Sequence, residues 1–148
     1  MQQYLAAVER QAVLPGVAEY LQDAGDRGLK LAVASSSNLA WVEGHLARLG
    51  LLSRFEHLLC SDHVSRTKPD PELYLAALDR MGLAPGEAIA FEDSRHGLHA
   101  ARAAGLFTVA VPTSLTASLD LSAASLKLGS LSEMPLTEVI ALAESAPQ

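Results

Sequence analysis

Four short, mostly apolar runs limit what this chain can fold into: residues 29–34, 57–60, 88–91 and 107–111. Each is too short for a stable helix, is bounded by turn-forming residues, and reads as a strand. Helical patterns separate them. Val17, Tyr20 and Leu21 share one helix face before Gly25. Residues 39–49 offer Trp41, His45 and Leu46 to one side and stop at Gly50, and 71–81 open on Pro71 and close at Gly82. An alanine-rich helix spans 98–104 before Gly105. Strands alternating with helices predict a parallel sheet covered on both faces, an α/β, Rossmann-like three-layer fold.

The flanks add less. Tyr4, Leu5 and Val8 fall at helical spacing, so residues 4–13 are expected to be helical until Pro15-Gly16 interrupts. Residues 113–125 read as loop, 126–128 as an edge strand, 136–142 as a last helix and 147–148 as a frayed end. With 148 residues, 49% of them hydrophobic, the chain can bury one core and not two. Trp41 is expected to pack in or against it.

Charge and cysteine content narrow the function classes. A net charge of −6 with no basic stripe argues against nucleic-acid binding. The single cysteine, Cys60, lies in an apolar stretch, which excludes an internal disulfide and a cysteine-rich zinc site and fits a reducing, cytoplasmic setting. The first residues lack signal-peptide character, and no apolar run reaches membrane-spanning length.

Polar residues collect where strands end. Ser35-Ser36-Ser37-Asn38 follows the first apolar run, Thr67-Lys68-Pro69 lies in the loop after the second, and Glu92-Asp93 ends the third. A parallel sheet brings all three to one edge, where ligands of open α/β sheets bind. Serine hydroxyls and backbone N–H groups at a strand-to-helix turn can hold phosphate oxygens. Lys68 supplies positive charge beside them. Two buried carboxylates are costly unless a cation neutralises them, and magnesium accepts such oxygens. Taken singly each has a plainer reading, as loop, as helix cap by Asp93 or Ser94, or as solvated lysine. Their convergence favours a site. His96 and His99 are three apart but are expected to be solvated rather than zinc ligands, and no Gly-x-Gly-x-x-Gly follows the first apolar run.

The order 33–38 (Val-Ala-Ser-Ser-Ser-Asn), 67–74 (Thr-Lys-Pro-Asp-Pro-Glu-Leu-Tyr), 90–98 (Ala-Phe-Glu-Asp-Ser-Arg-His-Gly-Leu) and 100–105 (Ala-Ala-Arg-Ala-Ala-Gly) resembles the haloacid dehalogenase-like hydrolase superfamily. The nearer likeness is to the branch containing beta-phosphoglucomutase and sugar-phosphate phosphatases. The resemblance implies a magnesium-dependent phosphatase acting on a small phosphorylated metabolite, with a phosphomutase as the alternative. It implies that Ser35 and the Ser36 N–H bind the phosphoryl group, that Lys68 stabilises its charge, and that Glu92 and Asp93 hold Mg2+, Asp93 directly. The family attacks phosphate with an aspartate of an Asp-x-Asp motif ending the first strand. Here the aspartates stand at 23, 26, 62, 70, 79, 93 and 120, and no two are separated by one residue.

The resemblance therefore divides the chain into a cap remnant at 1–14 and a core at 15–148, truncated before its first strand and inactive alone. It places the missing strand between the runs at 29–34 and 88–91, leaving two unpaired inner edges. Three outcomes are then expected: a compromised monomer, replacement of the strand by another segment or by self-association with a second chain, or a longer native protein. A non-catalytic module that binds phosphate without turnover is the rival reading.

Overall fold

Residues 88–91 alternate small and large, Ala88 and Ala90 against Ile89 and Phe91, and this alternation decides what packs on each face of the sheet. The computed structural model describes residues 2–5, 15–113 and 120–146. Its strands are β1 (Gln2–Leu5), β2 (Leu31–Ala34), β3 (His57–Leu59), β4 (Ala88–Glu92), β5 (Phe107–Ala110) and β6 (Leu126–Lys127). They form one sheet in the order β3-β2-β1-β4-β5-β6, and every pairing is parallel. The helices are α1 (Val17–Asp26), α2 (Leu39–Arg48), α3 (Glu72–Met81), α4 (Arg95–Ala103) and α5 (Leu136–Ser145).

On the small-residue face, Ala32, Ala34, Ala88 and Ala90 let α3 and α4 approach closely through Leu73, Tyr74, Ala77, Leu78, Ala100 and Ala101. On the opposite face Leu31, Ile89, Phe91 and Val109 pack against Val17, Tyr20 and Leu21 of α1 and Leu136 and Val139 of α5. Val33 meets Val42 and Leu46 of α2. Both β2 and β4 are buried along their whole length, which is why they read as near-continuous apolar runs. The three-layer α/β architecture is the one the sequence predicts.

The centre of the sheet departs from expectation. β1 lies between β2 and β4, with Gln3 opposite Leu31 and Tyr4 opposite Ala32 on one side. On the other side the register runs from Gln2 opposite Ala88 to Leu5 opposite Phe91. Tyr4 and Leu5, expected to open a helix, are therefore in a strand, while residues 6–13 of that expected helix lie outside the described residues. The segment assigned to a cap remnant contributes residues 2–5 to the core sheet. The inner edges, on whose being bare self-association was to rest, are paired by residues 2–5, so that of the expected outcomes the structure shows replacement of the strand by another segment of the chain. Unpartnered backbone groups along β2 and β4 are costly, and a local segment that can hydrogen-bond to both relieves that cost.

Smaller differences concern element ends. β2 begins at Leu31, α4 begins at Arg95 and α5 continues to Ser145. Trp41 is 42% exposed instead of packed in the core, because α2 turns Val42, His45 and Leu46 inward. It stacks on His45 at 4.8 Å between ring centroids. The expected loop at 113–125 falls partly, and the expected frayed end at 147–148 wholly, outside the described residues. None of the described helices is long and apolar enough to cross a membrane.

Two outcomes follow from this packing. Ile89 is fully buried, so Ile89→Ala is expected to lower stability by about 2–5 kcal/mol in urea unfolding with an unchanged m-value. Burial first, then the nearby carboxylates of Asp62 and Glu43, push the Cys60 thiol up to about 11. A thiol raised in this way stays protonated at neutral pH. Alkylation of native Cys60 is therefore expected to be at least about a hundredfold slower at pH 8 than in the unfolded chain, and to accelerate only toward pH 11.

Candidate active site

The strand order reverses between β1 and β4, which opens a crevice at the carboxyl ends of the strands. Three segments meet there. At the end of β2 the chain turns sharply: the Ser35 N–H donates to the Leu59 carbonyl at 2.8 Å, and Ser35 Oγ accepts from the Ser37 N–H at 3.1 Å. Asn38 then caps α2, its Oδ1 accepting from the Trp41 N–H at 2.8 Å. Ser35 is buried and Ser36 exposed, so the turn carries one hydroxyl inside the crevice wall and one at its mouth.

Carboxylates hold the loop that carries Lys68. Glu72 accepts from the Ser65 and Arg66 N–H groups at 2.8 and 3.2 Å, and Asp70 Oδ1 accepts from the Glu72 N–H at 3.0 Å. The Lys68-Pro69 peptide is cis. The Lys68 N–H donates to Ser36 Oγ at 3.2 Å, which ties this loop to the serine turn. Its side chain is only 8% exposed, and Nζ donates to the Ala34 carbonyl at 2.6 Å and to Glu92 Oε2 at 2.5 Å.

Glu92 is the last residue of β4, its carbonyl accepting from the Val111 N–H at 2.8 Å. The alternation that points Ala88 and Ala90 at α3 and α4 sends the Glu92 side chain the same way. There it is 1% exposed, paired with Lys68, and accepts a second hydrogen bond from the Tyr74 hydroxyl. Gly97, in the first turn of α4, leaves the space that the carboxylate fills: a Cβ at that position would overlap Glu92 Oε1. Asp93 follows, half-buried at the strand end, and Ser94 caps α4 by accepting from the Gly97 N–H at 3.1 Å.

Ser35, Ser36, Lys68, Glu92 and Asp93 thus gather at one sheet edge, the first four joined by direct hydrogen bonds or through the Ala34 carbonyl beside Ser35. His96 and His99 are exposed on α4, and among the described residues no group of three or more histidine, cysteine or acidic side chains could hold a metal. Adjacent carboxylates are nevertheless the hard oxygen donors that Mg2+ takes, and that ion readily completes its shell with water and ligand oxygens. The residues present fit it. Sequence reasoning assigned nothing to Tyr74 or Gly97. A tyrosine on the buried face of a helix signals a hidden polar partner, since its hydroxyl seldom stays unpaired in a core.

The family model described as "Haloacid dehalogenase-like hydrolase" matches residues 2–111. YhcW of Bacillus subtilis (strain 168) is 42% identical over 135 residues, 91% of this chain and 61% of that protein. "Phosphorylated carbohydrates phosphatase" of Thermotoga maritima is 39% identical over 62% of this chain and 43% of its own length. Crystalline CbbY from Rhodobacter sphaeroides, in complex with phosphate, superposes with a TM-score of 0.82 at 32% identity, covering 85% of this chain and 58% of that one. This chain spans about half of the length of such relatives, from 43% to 61% in these cases.

The buried Lys68–Glu92 pair gives a direct stability test. Removing one partner strands a charge in the core, so Lys68→Met is expected to cost about 3–5 kcal/mol in urea unfolding. Lys68→Met/Glu92→Gln should recover most of that loss, the sign of coupling in a double-mutant cycle.

Proposed function

The chain belongs to the haloacid dehalogenase-like hydrolases, and from that membership we propose that its crevice is the magnesium-dependent phosphate site of a phosphatase for a small phosphorylated metabolite. The observation that carries this reading is Lys68 Nζ, a buried ammonium anchored between the Ala34 carbonyl and Glu92, within the wall that bears Ser35 and Ser36. In this reading Ser35 Oγ and the Ser36 N–H donate to phosphate oxygens, and Lys68 offsets their charge. Asp93 is the direct ligand of Mg2+, because Lys68 and Tyr74 already occupy Oε2 of Glu92 and leave that residue only Oε1. The bound ion would supply further positive charge where phosphate oxygens gather.

Phosphatase is preferred to phosphomutase because water is the default acceptor and relatives of this chain bear phosphatase names. The substrate class, a sugar phosphate, follows the printed name of the Thermotoga relative. A cytoplasmic setting accords with a single, buried cysteine. The nucleophilic aspartate implied by the family is a separate matter. No Asp-x-Asp occurs among these 148 residues, so a polypeptide of this sequence alone is proposed to bind phosphate without turnover. Hydrolysis belongs to a protein that also supplies that aspartate.

Calorimetry on the 148-residue polypeptide tests both statements. Inorganic phosphate is expected to bind more tightly with Mg2+ present, and Asp93→Asn should remove that magnesium dependence. Ser35→Ala should weaken phosphate about tenfold, equivalent to about 1.4 kcal/mol. No phosphate should be released from sugar phosphates. Unchanged magnesium-linked binding in Asp93→Asn would overturn the metal assignment, and hydrolysis by the polypeptide would overturn the binding-only statement.

A further inference from the structure

Glu92 Oε2 accepts from two donors at once, Lys68 Nζ and the Tyr74 hydroxyl. Tyr74 is fully buried on α3, within the alanine-lined cluster that holds Ala32, Ala34, Ala88 and Ala90. Apolar packing alone would be met by phenylalanine, so the hydroxyl is accounted for by the carboxylate. The Tyr74 ring also lies beneath the ammonium, 5.2 Å from Nζ to its centroid. With both lone pairs of Oε2 engaged, and Oε1 set against the space left by Gly97, the Glu92 carboxylate cannot rotate.

An ammonium nitrogen is tetrahedral and has three N–H donors. Bonds to the Ala34 carbonyl and Glu92 Oε2 fix two of them, and two fixed directions determine the third. We propose that Tyr74 is a positioning residue for Lys68: it locks Glu92, and Glu92 with the Ala34 carbonyl aims the remaining N–H of the ammonium at the anion that enters the crevice. This rests on the reading above that the anion is a phosphate. Tyr74 itself does not touch the ligand. Its effect passes through Glu92 and through the ring face under Nζ.

The chain contains only Lys30, Lys68 and Lys127, so the 1H–13C correlation of the Lys68 ε-methylene can be assigned by elimination. A side chain held in one rotamer gives two inequivalent ε-protons, and a mobile one gives a single averaged signal. In Tyr74→Phe, which keeps the ring, the inequivalent pair is expected to collapse toward one signal, and phosphate affinity in the presence of Mg2+ to fall about fivefold. Tyr74→Leu, which removes the ring as well, should lose more. A structural role alone would shift the urea midpoint yet leave the Lys68 signals and the phosphate affinity of the folded variant unchanged. That result would overturn the proposal. Absence of phosphate binding by the unaltered chain would overturn the underlying phosphate reading. The two failures are told apart by whether the Lys68 signals still respond to Tyr74→Phe.

Discussion

A lysine and a glutamate buried together at the end of the central strands are the constraint around which the crevice is arranged. Neither charge could remain there alone, because desolvating one ion costs several kcal/mol. Their pairing at 2.5 Å, with Ala34 and Tyr74 as further partners, makes burial tolerable and fixes where both side chains lie. Much of the surrounding sequence can be understood from that requirement. Alanines on one sheet face let α3 and α4 come close, Gly97 clears room for the carboxylate, and the Glu72 and Asp70 carboxylates brace the loop that delivers Lys68.

The pair also separates two kinds of work at the site. Glu92 is committed inward to Lys68 and Tyr74, while Asp93, its neighbour at the strand end, is only half-buried. The sequence reading gave Asp93 the direct contact with the metal and Glu92 a lesser one, and in three dimensions Glu92 is an anchoring carboxylate buried against Lys68 and Tyr74. The same geometry supports binding of a phosphate without specifying its conversion. β1 closes the sheet beside β4, yet none of Gln2, Gln3, Tyr4 and Leu5 is the aspartate that the family's chemistry requires.

Strands β2 to β5 were legible because a doubly covered parallel strand must be apolar along most of its length, and such runs stand out between helical patterns. β1 was not. Gln2 and Gln3 are polar where an inner strand is usually apolar, four residues are too few to establish a period, and Tyr4, Leu5 and Val8 happen to match helical spacing. Its position is dictated by the hydrogen-bonding needs of β2 and β4, a non-local demand that no window of sequence contains. The convergence of Ser35, Lys68 and Glu92-Asp93 could be read because each ends or follows a strand. Trp41 misled because it shares a helix face with His45, on whose ring it stacks, yet lies at the rim of the inward face that Val42, His45 and Leu46 define. Tyr74 was passed over because its hydroxyl partner is 18 residues away.

The proposed role of the crevice organised by Lys68 and Glu92 is to receive a phosphate. A crystal structure of the 148-residue polypeptide grown with inorganic phosphate and magnesium tests it most directly. The expected density places phosphate oxygens on Ser35 Oγ, the Ser36 N–H and Lys68 Nζ, with the metal on Asp93. Phosphate bound elsewhere, or a saturated crystal in which this crevice holds only water, would contradict it.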